Sequence, residues 1–416
     1  MAGLTVLHTS DWHLGNQLYR KKRDQEFSAF LDWLAQTIDN NRVDVLLIAG
    51  DVFDVGNPGT TAQRQYYSFL GKILGLGVRH VVIVAGNHDS PAFLAASAPI
   101  LQNLQIHVVG SCSESPEDEI ITLYDNAGQP ELIVCAAPYL REGDICHFLP
   151  GETNSERDKR LLEGLREHFK ILADTAGKLR EEYEKNIPII ATAHLFTAGV
   201  AAEKEDSVRD LYRGNMGCVP SHYFPDTFDY VALGHIHKPY AVDKSGLRRY
   251  SGSPLPLSFA EAKYEKKLAL LRFNENRPEV GSITVPVFQQ MKTVDGNSQE
   301  ILSKIAELVE SNRNSGENIW LEINHDGTDS VFGLPGKCQE LVQGSGLEIL
   351  CIKTKGATES PASLELERGL DDLEPADMFR RCLEHQKIPE DEWSDLEASF
   401  QELLTLTLES SKQCES

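Results

Sequence analysis

The chain has no long apolar run, no closely spaced cysteine pair and no surplus of positive charge. Each absence removes a class of protein. Its apolar stretches, such as Val43 to Ala49, fall far short of the roughly 20 residues that a bilayer-spanning helix needs, so no membrane passage is expected. The eight cysteines are scattered without a C-x-x-C pair, which argues against a zinc ribbon or a dithiol redox site and suits reduced thiols in the cytoplasm. Lys+Arg number 40 against 63 Asp+Glu, a net charge of -23, so the chain does not hold nucleic acid by bulk electrostatics. The N-terminus shows no basic flank followed by an apolar stretch and a small-residue cleavage site, and the mature chain is expected to start near Met1.

What is present points to several domains, because 416 residues exceed one compact core. Short β-branched runs at Leu4 to His8, Val43 to Ala49, His80 to Ala85, Leu132 to Ala137, Ile187 to Ala193 and Tyr230 to Leu233 read as buried strands. Helical stripes lie between them: Phe27, Phe30, Leu31, Leu34 and Ile38, then Tyr66, Phe69, Leu70, Ile73 and Leu74. A long charged helix is predicted over Ser155 to Lys185. This alternation is α/β. The first domain is expected to span 1–281. A small α+β domain over 282–355 follows, with a helix capped by Asn297 and Glu300. Residues 356–416 read as a linker, Gly356 to Pro361, and an acidic tail with two helical stretches. In that tail Leu373, Met378, Phe379 and Leu383 mark one face, and Trp393, Leu396, Phe400, Leu403 and Leu404 another.

Five groups carry most of the chemical information: Asp11-x-His13, Gly50-Asp51, Gly86-Asn87-His88-Asp89, His194 and Gly234-His235-x-His237. Each sits where a buried run gives way to a loop, so seven oxygen and nitrogen ligands (Asp11, His13, Asp51, Asn87, His194, His235, His237) could converge at the carboxyl ends of a sheet. Hard divalent cations such as manganese favour such ligands, and a dinuclear site needs a carboxylate that bridges both ions. Asp51, at the end of a buried strand, suits the bridge. Asp11 and His13, two apart on a segment expected to be extended, should point the same way, as should His235 and His237. Two ions about 3.5 to 4 Å apart suit in-line attack on phosphorus. His88 points elsewhere and would donate a proton to the leaving oxygen or stabilise the transition state. Asp89 could cap the following helix, but the favoured reading is a supporting role that orients His88. The other histidines, His168 among them, read as structural.

Read together with Thr9-Ser10-Asp11-Trp12-His13-Leu14-Gly15 and Gly252-Ser253-Pro254-Leu255-Pro256-Leu257-Ser258-Phe259, these groups resemble the SbcD family of bacterial nuclease subunits. The resemblance is specific over the first 260 residues and loose beyond. It implies a calcineurin-like metallophosphoesterase sandwich, a capping domain, and C-terminal helices that dock on the coiled coil of an SbcC-type ATPase. It implies one metal held by Asp11, His13, Asp51 and His237, a second held by Asp51, Asn87, His194 and His235, and His88 as catalytic acid. It also implies two Mn2+ ions, DNA as substrate, double-strand exonuclease and single-strand or hairpin endonuclease activity, and a homodimer within a heterotetramer acting in DNA recombination, repair and replication. Sites on the helices carrying Tyr66, Phe69, Phe93 and Leu94 would be candidates for the dimer contact. At Asp54 archaeal and eukaryotic relatives carry a second histidine, so its role here is open.

A phosphatase or a small-phosphodiester hydrolase could use the same metal core. Phosphoprotein phosphatases place Arg after the second Asp, where this chain has Val55. A hydrolase of small diesters has no need of a capping domain or helical tail. A DNA-end scaffold with incidental nuclease activity is a further alternative. The one dense basic run, Arg20-Lys21-Lys22-Arg23 with Tyr19, could grip a nucleic-acid backbone, or could simply be a solvated surface.

Overall fold

The computed structural model describes residues 3–113, 115–146, 153–183, 186–198, 219–274, 277–313 and 316–355, together with Trp393 and Phe400. The predicted linker and the remainder of both tail helices lie outside the described residues. No described helix is long and apolar enough to cross a membrane.

Strands β1 (Leu4–Thr9), β2 (Val45–Ala49), β3 (His80–Val84) and β4 (Ile106–Val109) pair in that order, all parallel. Parallel neighbours need crossovers, and helices α1 (Asp24–Asn41) and α2 (Thr60–Leu74) supply the first two. A second six-stranded sheet contains β5 (Ile120–Tyr124), β6 (Pro130–Ala136), β7 (Ile189–His194), β8 (Tyr230–Gly234), β9 (Tyr240–Ala241) and β10 (Arg248–Tyr250). Its order is β9-β10-β8-β7-β6-β5, with the four inner strands parallel and the two outer ones antiparallel to their neighbours. The chain then returns to the first sheet as β11 (Lys267–Phe273), antiparallel to β1, and β12 (Pro278–Thr284) beside it.

Alternation along the strands explains the layers. Val6, Val45, Leu47, Val82 and Val84 face Leu132, Val134, Ile190 and Ala232 of the second sheet and form the core between the two sheets. Their neighbours Leu7, Leu46, Ile48, Val81 and Ile83 face the other way, onto Phe27, Phe30, Leu34, Phe69 and Ile73 of α1 and α2. The outer face of the second sheet is covered by α3 (Asn154–Glu182) through Leu165, Phe169, Leu172 and Ala176. The result is a helix, sheet, sheet, helix sandwich. Tyr66, Phe69 and Leu94 belong to its core, so those three are not a free surface for a second copy.

The helix boundaries follow capping chemistry. Thr153 with Glu156 closes the start of α3 by a reciprocal capping box, and Asn297 with Glu300 does the same for α4 (Ser298–Asn312). The strand Pro278–Thr284 is paired along its whole length with β11, so the expected boundary at Gly281 falls inside a strand of the first sheet. The chain divides into two compact units. One is Met1–Thr293 with Asn314–Glu322 and Gly344–Cys351; the other is Val294–Arg313, Ile323–Gln343 and Ile352–Ser416. The second unit contains α4 packed on α5 (Leu334–Val342).

Candidate metal centre

The carboxyl ends of β1, β2, β3, β7 and β8 meet at one place, and the last residue of β7, His194, together with the loops leaving the other four, carries every predicted ligand. Trp12 shows how the first loop is aimed. Its ring is fully buried, edge-on to Phe30 and Phe69 at 5.9 and 5.4 Å, and its Nε1 donates to Thr9 Oγ1 at 2.9 Å. Anchoring Trp12 on the helix side leaves Asp11 and His13 to face the centre. They are not extended, contrary to the expectation from spacing. Asp11 (φ 54), His13 (φ 48), Asp51 (φ 50) and His235 (φ 97) all have left-handed backbone, a conformation that costs a non-glycine residue energy and persists where surrounding structure enforces it. Here a backbone ladder enforces it: Asp11 N donates to Gly50 O, His13 N to Asp51 O and Leu14 N to Val52 O.

Glycines keep the approach close. A Cβ on Gly86 would lie 2.1 Å from Asp51 Oδ1, one on Gly50 2.2 Å from His194 Nδ1, and one on Gly234 1.9 Å from Ala49 O. The motif glycines therefore set the spacing between the two sheets at the centre.

Ligand-type atoms gather here in three overlapping groups. Asp11, His13 and His237 bring ligand atoms within 4.8 Å of one another, as do Asp11, Asp51 and His194, and His13, Asp51 and His88. Asp51 Oδ2 lies 3.5 Å from His13 Nε2 and 3.3 Å from His194 Nε2, so it stands between the two rings. Asn87 Oδ1 lies 3.1 Å from His194 Nε2 and 3.0 Å from His235 Nδ1. Asp11 is held by Ser10 Oγ at 2.5 Å and by the backbone N–H of His235 at 2.9 Å.

Outer partners fix the tautomers. His194 Nδ1–H donates to Ala49 O (2.9 Å) and His237 Nδ1–H to Glu261 Oε1 (3.0 Å), while His13 Nδ1 faces Asp54 Oδ1 at 3.3 Å. Each arrangement turns Nε2 inward, as imidazole ligands require. His88 Nδ1–H donates to Asp54 O at 2.9 Å, so its Nε2 is the atom left to exchange a proton. Asp54 thus holds His13 by its carboxylate and His88 by its carbonyl. Asp89 does not orient His88. Its carboxylate instead accepts N–H from Val52, Phe53 and Gly86, tying the β2 loop to the β3 loop. Burial and the Asp51 charge push Asp89 up to about 6 against those three donors.

The electrostatics fit cations. His194 Nε2 faces two oxygens while its Nδ1 carries the hydrogen, so a neutral ring would set acceptor against acceptor. Burial works against charging this ring, yet the Asp51 and Asp11 carboxylates push it up to about 9. A proton here takes the place of a cation. His13 Nε2, turned inward by the Asp54 contact, is buried without a hydrogen-bond partner, 3.5 Å from Asp51 Oδ2. Burial and the neighbouring His194 charge lower His235 to about 4, which keeps it neutral and able to ligate.

Two contributors were not legible in sequence, Glu261 and Lys266. Lys266 Nζ donates to Glu261 Oε2 at 2.6 Å and to Ser253 Oγ at 2.8 Å, with all three side chains buried. The Ser253-Pro254-Leu255-Pro256 motif was the available signal; it forms the turn that carries this brace to His237.

The basic run does not form one surface. Tyr19 (φ 49) and Arg20 (φ 64) are the centre of a tight hairpin between Gln17–Leu18 and Lys21–Lys22. Tyr19 OH donates to Glu322 at 2.7 Å, and Lys21 Nζ pairs with Glu348 at 2.7 Å. Arg23 is buried on Glu26, its Nε 2.8 Å from Oε2. Arg20 and Lys22 are the members of the run that stand exposed.

A family profile described as calcineurin-like phosphoesterase matches residues 4–239, and one described as type 5 capsule protein repressor C-terminal domain matches 287–387. Curated relatives named as the SbcD component of the nuclease SbcCD are similar. The Escherichia coli K12 protein is 34% identical over 407 residues, covering 97% of this chain and 98% of the relative. The Rhodobacter capsulatus protein is 36% identical over 274 residues (64% and 66%), and the Bacillus subtilis protein 33% over 270 residues (64% and 66%).

Proposed function

The chain belongs to the SbcD family of calcineurin-like phosphoesterases, which makes it a metal-dependent nuclease subunit, and from that premise we propose how its centre cuts phosphodiesters. Asp11, His13, Asp51 and His237 hold one divalent cation and Asp51, Asn87, His194 and His235 the other, both Mn2+. When bound, such a pair polarises the phosphoryl oxygens and lowers the pKa of the attacking water. The observation that carries this reading is Asp51 standing within 3.5 Å of an imidazole from each set.

The chain's own groups do the rest. His88, with Nδ1–H committed to Asp54 O, gives a proton from Nε2 to the leaving oxygen. Asp51 also accepts the backbone N–H of His88 at 2.8 Å, which fixes the acid relative to the ligands. Glu261 and Asp54 keep His237 and His13 in the ligating tautomer. Arg20 and Lys22 contact substrate phosphates. DNA is the substrate, cut from double-strand ends and at single-stranded or hairpin sites. The relatives are named as components of a complex, and this chain is assigned the same arrangement: residues 356–416 dock on a coiled-coil ATPase, and two copies assemble in the complex.

Purified full-length protein with Mn2+, offered linear duplex, hairpin DNA and an aryl phosphate monoester, tests the reading. DNA cleavage abolished by chelator is expected. Turnover of the monoester with intact DNA would make the chain a phosphatase instead. A chain ending at Thr358 should still cut single strands but fail to capture the ATPase in a pull-down; equal capture by both chains removes the docking role of the tail.

A further inference from the structure

Cys112, Glu119 and His168 meet away from the phosphoesterase centre and share no residue with it. They come from three separate segments. Cys112 follows β4 at the edge of the first sheet. Glu119 ends the 3-10 turn Pro116–Glu119 that leads into β5, and His168 lies on α3. Their ligand atoms all fall within 4.8 Å of one another. Glu119 and His168 are both more than nine-tenths buried, at 1% and 6% exposure, and His168 Nε2 lies 2.9 Å from Glu119 Oε2. Glu119 Oε1 is oriented separately by the Ser113 N–H at 3.1 Å.

We propose that this trio is a third metal site, specific for Zn2+, that ties the edges of the two sheets to the covering helix. The donor set decides the metal. Thiolate, imidazole and carboxylate together suit borderline-soft Zn2+, whereas the phosphoesterase ligands, all oxygen and nitrogen, suit Mn2+. The separation also fits. Tetrahedral zinc with bonds of about 2.0 to 2.3 Å places its ligands roughly 3.3 to 3.7 Å apart, so a pair at the 4.8 Å limit closes by about 1.1 to 1.5 Å while the His168–Glu119 pair at 2.9 Å opens slightly. Ser113 supplies the outer hydrogen bond that ligating carboxylates normally have. His168 also lines a cleft of about 580 Å³ with Asp144, Ile145 and Cys146, the side from which an ion would approach. Water from that cleft completes the fourth position. No C-x-x-C pattern announces such a site, since its ligands are neighbours only after folding.

Cobalt substitution separates this site from the other two metals, because no cysteine is among the phosphoesterase ligands and only a thiolate gives a sulfur-to-cobalt charge-transfer band. Metal-free full-length protein titrated with Co2+ should develop that band, with a final amplitude of one thiolate-bound Co2+ per chain however many equivalents the other two sites take up. The band should vanish in C112S, which should keep Mn2+-dependent DNA cleavage as proof of folding. E119Q preserves the side-chain shape and should weaken the Co2+ uptake read by the band more than tenfold, by analogy with the roughly 10- to 100-fold losses seen when a metal-site partner is removed. No band in the wild-type protein, or an equal band in C112S, overturns the proposal and leaves the trio a hydrogen-bonded brace. An unchanged affinity in E119Q does the same for the carboxylate.

Discussion

The first sheet delivers Asp11, His13, Asp51, Asn87 and His88 to the metal centre, and the second delivers His194, His235 and His237. All the carboxylates among the proposed ligands, and His88, the proposed acid, are on the first sheet; the second contributes imidazoles alone. Three of the four left-handed ligand residues are also on the first sheet, where adjacent loops hold one another by backbone hydrogen bonds. The difference teaches how the labour divides. The first half concentrates negative charge on a backbone forced to hold it, and the second supplies imidazoles, two of which, His194 and His237, are oriented by partners outside the centre.

The strongest way to break that comparison is to remove charge from one side and an imidazole from the other. Asp51→Asn should release both metals together and lower DNA cleavage by more than the roughly 10²- to 10⁴-fold expected of a single acid-base group. His237→Ala should release mainly one metal. Elemental analysis beside a nuclease assay reads both, and two tightly held ions in Asp51→Asn would move the bridge elsewhere. His88→Gln should lose about 10²- to 10⁴-fold in turnover with both metals retained; loss of a metal in that variant would make His88 a ligand.

Glu261→Gln sharpens the second sheet's side. It should weaken metal binding by about 10- to 100-fold, through His237, with little change at saturating Mn2+. Burial opposes ionisation of Glu261, but Lys266 and His237 hold it well below the usual carboxylate range. Its folded pKa is depressed, so its contribution to stability is present above the unfolded value of about 4.5 and is lost as pH falls. Melts of wild type and Glu261→Gln against pH should therefore converge in acid, and parallel curves would remove the pair from the stability balance. The smallest effect belongs to the basic hairpin. Replacing Arg20 and Lys22 with Ser should reduce the salt dependence of DNA binding by about one unit of slope per lost phosphate contact. Arg23→Ser should lower thermal stability instead, because it strips a buried pair; a salt-slope change there would contradict its placement.

Much of this centre was legible because its ligands sit where buried runs end, and a strand end is visible in sequence. The direction of the side chains was not. Alternation predicts where Asp11 and His13 would point only on an extended segment, and both have positive φ because the β2 loop pairs with theirs. Asp54 and Glu261 were invisible as partners for a related reason: each acts on a histidine far away in sequence, His13 for Asp54 and His237 for Glu261. The same holds for β12. Pro278–Thr284 carries exposed and half-buried residues that show no clean alternation, and only its pairing with β11 makes it a strand of the first sheet.

The four left-handed ligand residues also bear on how the protein survives. Strained non-glycine residues cost of order 1 to 3 kcal/mol each, and at this centre they cluster with two buried carboxylates in mutual repulsion. An ion that binds only the folded chain adds stability by mass action, about 2.7 kcal/mol at a concentration 100 times its dissociation constant. A divalent cation bound there would therefore act as a folding ligand as well as serving cleavage. Chelated protein should exchange its amide hydrogens fastest in the Asp11, Asp51 and His235 loops, and a cell short of the metal would lose the protein itself as well as its turnover.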